Sequence, residues 1–565
     1  MGSGLALGLA PPVPVMIGCA AKVPQEVFMR GTMMDFPLVL PVVLERAGKL
    51  FGDIEIIWHR PDKTAVRSTY RDFVERARRV SNALLKLGLR RGDRVATMLW
   101  NHCTHLEAFF GVPCAGGILH ALNLRLHPHE IAKIANHAED RFLIVDDVLL
   151  PLYEKFRADV RFEAVIVVPY GSSHVPEGFL NFEEFLEQGK GQFRYPDIDE
   201  NDGASMCFTS GTTGFSQGVI YTHRSLVLHS MAEAMVDAFA LSHHDTIMPL
   251  APMFHANAWG VPYTAVMTGT KMVMVGPVVE AEFVLDTLLK ERVTVANAVP
   301  TVWINVLEAL EKYPGRWKFE KPVRVVSGGT APPVELMRRL DRHGIRILHL
   351  WGMTETSPLA TTGHLKSRMK GWSEEQQYQI RAKQGWPVPL IDLRVMRPEG
   401  EAQWDGVTPG EIEIRGPWVA GQYYKAPDQA HKWTEDGWFR TGDVGTIDAD
   451  GIMKIVDRAK DLVKSGGEWI SSVDLENALM GHPAVKEACV VGIPHPKWQE
   501  RPLAAVVLRD GIKVSGDDLR EFLARDFAKW QLPDAFVFVE AIPRTSVGKF
   551  KKTAVREQFA NWNWD

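Results

Sequence analysis

Cysteine is scarce in this chain, and its few cysteines are widely separated. No spacing between them is typical of metal ligands: the five are Cys19, Cys103, Cys114, Cys207 and Cys489. A small disulfide-stabilised scaffold would need more cysteines, placed closer together. The composition therefore favours a reduced, cytoplasmic protein.

The chain also lacks a long apolar run and an excess of positive charge. Its longest apolar candidate, residues 108–122, contains three glycines, a proline and a histidine, whereas a membrane-spanning helix needs about 20 apolar residues. We expect a buried helix and turn there, and at most peripheral contact with a membrane. The formal net charge of -5 provides no general basic surface, so nucleic acid is not an expected partner.

The N-terminal segment is apolar but lacks the features of a secretory signal. Residues 15–19 faintly resemble a lipoprotein cleavage site, yet the first basic residue is Lys22, and a signal peptide begins with a basic region. We therefore expect residues 1–33 to form a poorly ordered tail. An over-extended start ahead of Met29 or Met33 is the other interpretation.

The length and the residue pattern predict several α/β layers. A chain of 565 residues is too long for one core, and strand-like and helix-like patterns alternate through most of it. Residues 282–292 have helical spacing. Buried strands are expected at residues 94–100, 141–145, 293–296, 323–326 and 346–350. Ligands of such sheets gather at the carboxyl ends of the strands.

The pattern changes after about residue 390. Short alternating strands are expected at residues 392–395, 411–414 and 452–455, which predicts a β-rich subdomain. A mixed α/β pattern returns beyond Asp457. We therefore predict an α/β fold with a large N-terminal domain at residues 34–457, made of layered α/β subdomains plus the β-rich subdomain. A small C-terminal α/β domain follows at residues 458–565.

A loop rich in glycine and hydroxyl groups follows the apolar run at residues 205–208 and precedes a strand pattern. Its residues are Thr209, Ser210, Gly211, Thr212, Thr213, Gly214, Phe215, Ser216, Gln217 and Gly218. Glycines let the backbone approach an anion, and hydroxyl groups donate to phosphate oxygens. We interpret the loop as a phosphate cradle rather than a linker, because linkers rarely join two strands. It is not a Walker A loop, because no Gly-x-x-x-x-Gly-Lys-Ser/Thr occurs.

A carboxylate beside hydroxyl groups occurs at the end of another predicted strand, where residues 351–356 read Trp-Gly-Met-Thr-Glu-Thr. This combination suits a Mg²⁺ ion that bridges phosphate oxygens, although Thr-Glu alone is also a common helix start. Further segments of interest are residues 252–260, 327–332, 437–445, 457–471 and 543–552. Separately they have ordinary explanations, such as a turn, a basic surface loop or a core histidine.

Taken in order, these segments resemble the motifs of adenylate-forming enzymes: acyl-CoA synthetases, luciferases and peptide-synthetase adenylation domains. The resemblance extends from about residue 34 to 556. It is closest to medium- and long-chain fatty-acyl-CoA synthetases, since residues 464–476 read Lys-Ser-Gly-Gly-Glu-Trp-Ile-Ser-Ser-Val-Asp-Leu-Glu. It implies an AMP-forming acid–thiol ligase that uses ATP, Mg²⁺ and CoA and forms an acyl-AMP intermediate.

The resemblance also implies roles for individual residues. Trp351 would stack on adenine, Thr354 would contact the α-phosphate, and Glu355 with Thr212 would hold Mg²⁺. The other expected nucleotide contacts are Thr209, Ser210, Gly211, Thr213, Gly214 and Gln217 for the phosphates, Asp443 and Arg458 for the ribose, and Gly328, Gly329, Thr330 and Gly352 for the walls of the adenine and acyl sites.

The remaining implied roles concern catalysis, the hinge and the acid. Lys549 would be the catalytic lysine, and Lys460 the hinge about which a mobile C-terminal domain turns. Lys464, Gly466 and Gly467 would face CoA. His255 would line the carboxylate pocket, and Trp259 would gate a fatty-acid tunnel. Lys551 and Lys552 are expected to be solvated, or to steer CoA phosphates loosely.

Two departures from the family pattern keep alternatives open. Residues 216–218 read Ser-Gln-Gly where the family has Pro-Lys-Gly, so a nucleotide-binding or acyl-binding relative with impaired turnover is one alternative. Trp351 stands where the family more often has tyrosine, and it lacks that hydroxyl group. Independently of these departures, a CoA ligase for an aryl or methylthio-propionate acid is a second alternative, and the region of Trp259 is the feature that distinguishes it. An acyl-AMP ligase without CoA transfer is less favoured, because Ser465-Gly466-Gly467 is intact. Small molecules are the expected partners, with a homodimer left open.

Overall fold

The computed structural model describes residues 31–172, 174–209, 216–458, 461–465, 468–545 and 549–564. Residues 31–37 belong to one unit and the remaining described residues to a second. Residues 31–37 are exposed and contain neither helix nor strand. Apart from residues 31–33, the predicted N-terminal tail lies outside the described residues.

The second unit is a mixed α/β structure. In its described part the strands are β1 (Glu55–His59), β2 (Ala65–Thr69), β3 (Arg94–Met98), β4 (Ile118–Ala121), β5 (Asp140–Asp146), β6 (Ala164–Val168), β7 (Leu180–Asn181), β8 (Gly203–Phe208), β9 (Gly218–Thr222), β10 (Thr246–Pro249), β11 (Lys271–Met274), β12 (Val295–Ala298), β13 (Val323–Ser327), β14 (Ile345–Gly352), β15 (Leu359–Thr362), β16 (Trp386–Pro387), β17 (Asp392–Arg397), β18 (Gly400–Glu401), β19 (Gly410–Arg415), β20 (Phe439–Ile447), β21 (Met453–Arg458), β22 (Val463–Ser465), β23 (Glu468–Ile470), β24 (Val485–His495), β25 (Gln499–Leu508) and β26 (Ala535–Phe538).

The helices alternate with these strands. In the same part of the chain they are α1 (Leu40–Leu50), α2 (Tyr70–Lys86), α3 (Cys103–Cys114), α4 (Pro128–Ala138), α5 (Leu150–Tyr153), α6 (Phe182–Gln188), α7 (His223–Ala234), α8 (Val261–Thr268), α9 (Ala281–Lys290), α10 (Pro300–Lys312), α11 (Val334–Arg342), α12 (Glu374–Ala382), α13 (Ser472–Met480), α14 (Gly516–Leu523) and α15 (Lys552–Gln558). As far as the structure describes the chain, no helix has the length and apolar composition needed to cross a membrane.

The described strands form four sheets. The first has the order β16-β15-β14-β13-β12-β10-β11-β1-β2, and the second has the order β7-β6-β5-β3-β4-β8-β9. Both are mainly parallel. A third, antiparallel sheet has the order β18-β17-β19-β20-β21, and the fourth joins β22 to β26 in the C-terminal part.

Helices pack on both faces of the two large sheets. One core contains side chains of α2, α3 and α8 together with Ile56 and Met272 of the first sheet and Val95 and Phe142 of the second. Helices α9, α10 and α11 cover the outer face of the first sheet, and α4 covers that of the second. The predicted α/β layers, and the β-rich region after residue 390, are therefore confirmed.

The C-terminal part has an apolar core on each face of its sheet. Val490 and Val506 pack with Leu475 and Leu519 of helices α13 and α14 on one face. Residues of the same two strands pack against Val555 of α15 on the other face. The proposed domain boundary after residue 457 falls within β21 and stays a prediction.

The predicted strands lie within two residues of their observed bounds, except that β21 ends three residues later than predicted. One strand is shifted as a whole. Residues 293–296 are predicted as a strand, whereas β12 spans Val295–Ala298. The reason is the end of helix α9. Arg292 has a left-handed φ of +53°, and the N–H of Val293 returns to the carbonyl oxygen of Leu288 over 3.0 Å. Val293 therefore belongs to the turn that ends α9, and the strand begins two residues later than predicted.

Local capping explains how α7 begins directly after the β8–β9 hairpin. The hydroxyl group of Thr222 accepts a hydrogen bond from the N–H of Ser225, and the Ser225 side chain bonds back to the N–H of Thr222. This reciprocal arrangement satisfies backbone donors that a helix N-terminus otherwise leaves unpaired. It fixes the start of α7 at His223, five residues after Gly218, where the glycine-rich loop ends.

Candidate functional site

A cavity of about 220 Å³ lies at the carboxyl ends of β13 and β14, and Thr545 and residues 549–553 of the C-terminal part also line it. This is the edge of a parallel sheet at which ligands usually bind. The cavity collects seven of the residues singled out from the sequence: Gly329, Thr330, Trp351, Gly352, Asp443, Arg458 and Lys549. The other predicted site residues lie behind this wall, elsewhere in the fold or outside the described residues.

Asp443 is one of the residues that line the cavity. The antiparallel register of β20 and β21 places it opposite Arg458, whose Nε lies 3.4 Å from Asp443 Oδ1. The indole Nε1–H of Trp351 donates to Asp443 Oδ2 over 3.0 Å. The tryptophan therefore still offers a donor where the family's tyrosine has a hydroxyl group, and the bond fixes the indole beside the carboxylate.

Glu355 and Thr354 follow β14 and are buried behind the cavity wall. The Tyr423 hydroxyl donates to Glu355 Oε1 over 2.5 Å, and the Tyr221 hydroxyl donates to the carbonyl oxygen of Thr354 over 2.7 Å. Burial raises the pKa of Glu355, although the bond from Tyr423 acts in the opposite direction. Neither tyrosine is singled out by a motif, so sequence reasoning missed both.

The arrangement around Glu355 fits a magnesium ion that is held mainly by the phosphate oxygens of a bound ligand. Such sites use one or two carboxylates and complete the shell with phosphate oxygens and water. Glu355 supplies one carboxylate at the strand end. The described residues contain no group of three or more His, Cys, Asp or Glu side chains that could hold a metal ion. The other predicted ligand, Thr212, lies outside the described residues.

Lys549 reaches the cavity from the C-terminal part of the chain. Its Cε lies 3.3 Å from the position that a Cβ on Gly329 would occupy, and Gly329 has a φ of +88°. A side chain at position 329 would therefore be strained and would meet the lysine. The N–H of Thr545 donates to the carbonyl oxygen of Lys549 over 2.7 Å, which ties the two ends of the lysine's loop together.

An ion pair joins the C-terminal part to helix α10 beside this cavity. Lys486 Nζ lies 3.2 Å from Glu308 Oε2, and Arg509 approaches the other oxygen of Glu308 at 3.8 Å. The pair is partly exposed, so it contributes only modestly to stability. It nevertheless belongs to the same arrangement of the C-terminal part that places Lys549 in the cavity.

Burial and neighbouring positive charges lower the pKa values of two predicted site residues. Burial, together with the guanidinium of Arg458, lowers the pKa of Lys549 to about 8, while Asp443 and Glu355 act in the opposite direction. Burial also lowers the pKa of His255 to about 3, with smaller contributions from Lys549 and Arg125. His255 is therefore neutral at physiological pH, and it lies within the field of Lys549.

The segment after His255 has an uncommon backbone. Asn257, Ala258 and Trp259 are left-handed, with φ values of +51°, +51° and +64°, and such residues persist only where surrounding contacts hold them. The Ser205 hydroxyl donates to Asn257 Oδ1 over 3.0 Å, and Asn297 Nδ2 donates to the carbonyl oxygen of Ala258 over 3.2 Å. Trp259 is 6% exposed and packs into the core between the large sheets.

The glycine-rich loop is described only at its ends. The N–H of Thr209 donates to the carbonyl oxygen of Gln217 over 2.9 Å, and the N–H of Gln217 donates to Thr209 Oγ1 over 3.0 Å. These bonds continue the β8–β9 hairpin and close the loop. Outside the described residues lie the phosphate-loop candidates Ser210, Gly211, Thr212, Thr213 and Gly214, the hinge candidate Lys460, and the CoA-side candidates Gly466 and Gly467.

Two predicted glycines are needed for packing. A Cβ on Gly328 would lie 2.7 Å from Leu350 Cδ1, and one on Gly352 would lie 1.7 Å from the carbonyl oxygen of Pro358. Because neither glycine has a side chain, Leu350 and Pro358 can pack directly against their backbones. The predicted CoA-side residue Lys464 is exposed, and its N–H donates to Glu500 over 2.9 Å.

The two lysines after the catalytic candidate differ sharply. Lys551 is exposed, as expected of a solvated group. The corresponding prediction is wrong for Lys552, whose side chain is 12% exposed and whose Nζ lies 2.9 Å from Glu476 Oε1. The basic run predicts a surface loop, but α15 turns its first residue toward α13.

Comparison with known proteins assigns most of the chain to one family. The family model of the AMP-binding enzymes matches residues 45–424, and that of the AMP-binding enzyme C-terminal domain matches residues 474–549. The chain is 48% identical to a long-chain-fatty-acid–CoA ligase of Thermus thermophilus, covering 94% of this chain and 97% of the relative. It is 40% identical to a 3-methylmercaptopropionyl-CoA ligase of Ruegeria lacuscaerulensis, covering 94% and 99%. The crystal structure of an anthranilate CoA ligase in complex with anthranoyl-AMP has the same fold, with a TM-score of 0.81 at 24% identity, covering 93% of this chain and 98% of that one.

Proposed function

Because the chain belongs to the family of AMP-binding enzymes, we propose that it is an ATP-dependent ligase that joins a fatty acid to coenzyme A. The observation that carries the proposal is the position of Lys549. This lysine enters a cavity that Trp351, Asp443 and Arg458 also line, so that it shares the cavity with an aromatic side chain and an ion pair. A nucleotide with a reacting phosphate fits that combination of groups.

ATP is proposed to bind in this cavity. The adenine packs against Trp351, and the ribose hydroxyls donate to Asp443, which Arg458 holds in place. The phosphates extend toward the loop at residues 209–218 and toward Glu355. Mg²⁺, when bound at Glu355, neutralises phosphate charge and polarises the phosphoryl oxygens.

The first half-reaction forms acyl-AMP. One oxygen of the fatty carboxylate attacks the α-phosphorus in line with the leaving group, and the bond to the β-phosphate oxygen breaks to release pyrophosphate. Lys549 brings a compact positive charge to the carboxylate and the α-phosphate as they approach. Neutral His255 lines the carboxylate pocket without adding a second charge. Catalysis here consists mainly of positioning and charge stabilisation.

The second half-reaction transfers the acyl group. We propose that the domain at residues 458–565 turns about Lys460, removes Lys549 from the cavity and brings the loop at Gly466 and Gly467, with Lys464, to the site. The CoA thiolate attacks the acyl carbonyl carbon, and the bond to AMP breaks. Such domain alternation lets one cavity serve two reactions.

A pH profile tests the role of Lys549 in the first half-reaction. The protonated lysine is the active form, and its pKa is about 8, so raising the pH through 8 removes the charge. We expect kcat/KM of acyl-AMP formation for ATP to fall above this pH by about tenfold per unit. Arginine stays charged throughout. If the residual activity of Lys549→Arg declines over the same range, another group titrates.

The substrate is proposed to be a medium- to long-chain fatty acid, which agrees with the name of the Thermus relative. The name of the Ruegeria relative supports a short methylthio acid as the second candidate. An assay of AMP and acyl-CoA over saturated acids of two to eighteen carbons, with 3-methylthiopropionate and benzoate added, tests both. We expect the highest kcat/KM beyond eight carbons. Nucleotide binding without turnover on any acid would favour the impaired relative instead.

Replacing Trp259 is expected to change the chain-length preference. Alanine removes an indole that packs in the core and opens apolar volume, while each buried methylene of a longer acid contributes about 0.8 kcal/mol. The ratio of kcat/KM for a sixteen-carbon acid to that for a six-carbon acid should therefore rise. Trp404→Ala, at an exposed tryptophan, is the control. An unchanged ratio with both values reduced would make Trp259 a structural residue only.

The proposal includes a cytoplasmic location and small molecules as partners: the fatty acid, ATP and CoA. A homodimer is proposed as the assembly in solution. Light scattering of the purified protein tests the assembly, and a mass equal to one chain across a concentration series would contradict it.

A further inference from the structure

Lys552 lies in a network of polar groups that the proposed chemistry does not use. Its Nζ donates to Glu476 Oε1 over 2.9 Å and also to the hydroxyl oxygen of Ser472. The N–H of Val490 donates to the same Glu476 oxygen over 2.8 Å. Lys552 is therefore anchored to helix α13, which carries both Ser472 and Glu476.

The network continues from α13 to the end of β21. The Ser472 hydroxyl donates to Asp457 Oδ2, and the N–H of Ser472 donates to the same oxygen over 2.9 Å. The N–H of Arg458 donates to the other oxygen of Asp457 over 2.8 Å. A continuous path of hydrogen bonds thus runs from Lys552 through Ser472 to the residue before Arg458.

Both ends of this path adjoin groups of the proposed adenylation site. Lys552 follows Lys549 by three residues, and Asp457 precedes Arg458, which contacts Asp443. Lys552, Glu476 and Asp457 also line the cavity that Lys549 enters. The path therefore crosses the proposed domain boundary beside the reacting groups.

We propose that Lys552 is a positioning residue that holds the Lys549 loop in the adenylating orientation, through Ser472 and Asp457. The inference rests on the proposed function. A turn about Lys460 would carry Lys552, Glu476 and Ser472 away together and leave Asp457 with the large domain. The bonds between Ser472 and Asp457 exist in one orientation, whereas the pair of Lys552 and Glu476 persists in both.

The charge of Lys552 has a clear function in this arrangement. Burial alone would lower the pKa of Lys552, but the carboxylates of Glu476 and Asp457 together raise it above its usual value. The ammonium therefore stays protonated and balances two carboxylates that would otherwise face each other across Ser472. Without it, the orientation that brings Asp457 toward Glu476 loses its compensating charge.

The test separates the two half-reactions in variants of the full-length enzyme. In Lys552→Met we expect acyl-AMP formation to fall roughly 10- to 100-fold, the range for loss of one charge-assisted hydrogen bond. Thioester formation from supplied acyl-AMP and CoA should change by less than about threefold, since the altered contact belongs to the other orientation. Lys552→Arg should recover part of the adenylation rate. The matched control is Lys529→Met, at an exposed lysine of the C-terminal part, which should adenylate at the wild-type rate.

Ser472→Ala keeps the test decisive if Lys552→Met does not fold. It removes the hydroxyl bonds to Lys552 and Asp457, keeps the backbone N–H bond to Asp457, and leaves the buried pair of Lys552 and Glu476 in place. Its adenylation rate should fall while its thioester rate is retained. Equal losses in both half-reactions, or no loss in either, for Ser472→Ala would overturn the coupling while the wild type remains active. A wild-type enzyme that forms no acyl-AMP would overturn the proposed function, and the coupling with it.

Discussion

Replacing Lys549 with alanine is expected to slow acyl-AMP formation by about 100- to 1,000-fold, the loss typical when one donor to a developing charge is removed. The structure gives the reason, because Lys549 reaches the cavity wall at Gly329, in the cavity that Trp351 and Asp443 also line. Thioester formation from supplied acyl-AMP should stay within about threefold of wild type. The two rates are measured by pyrophosphate release and by acyl-CoA formation.

The control for this experiment is Lys529→Ala, which removes an exposed lysine from the same C-terminal part of the chain. It should leave both rates unchanged. If Lys549→Ala lowers both half-reactions by the same factor, the lysine acts in both orientations or supports the fold. The two-orientation mechanism would then be wrong for this enzyme.

Motifs placed the residues of the candidate site but not the contacts between them. The resemblance to adenylate-forming enzymes is confirmed by the family match over residues 45–424 and 474–549. Asp443 and Trp351 come from separate motifs, and only the structure joins them by a hydrogen bond. The bond between Tyr423 and Glu355 links residues 68 positions apart. Such pairs depend on the packing of distant segments, which residue patterns do not encode locally.

Residue patterns also failed to predict which of two neighbouring lysines is buried. Lys551 and Lys552 are chemically identical neighbours in a basic run, yet only the second is paired with Glu476. The decisive partner lies on α13, 76 positions earlier in the sequence, so no local rule separates the two lysines. By contrast, β13 and β14 were predictable to within two residues, because a run of buried apolar residues is a local signal.

Gly352→Ala is expected to disrupt the nucleotide side of the site severely. Gly352 ends β14 and is followed by the segment that carries Thr354 and Glu355. A Cβ at this position would lie 1.7 Å from the carbonyl oxygen of Pro358 and 2.7 Å from its carbonyl carbon. The obstacle is backbone rather than the end of a flexible side chain, so the strand and the returning segment must move apart.

This movement should cost about 1–3 kcal/mol or more of stability, as overpacking does in other cores. It should also displace Trp351 and Glu355, which flank the glycine. We therefore expect a lower thermal unfolding temperature and a loss of about tenfold or more in kcat/KM for ATP, since small misplacements of positioning groups slow catalysis strongly. The matched control is Gly371→Ala, where an added Cβ would meet nothing within 4 Å. A Gly352→Ala enzyme as stable and active as Gly371→Ala would show that β14 can separate from Pro358 without disturbing the site.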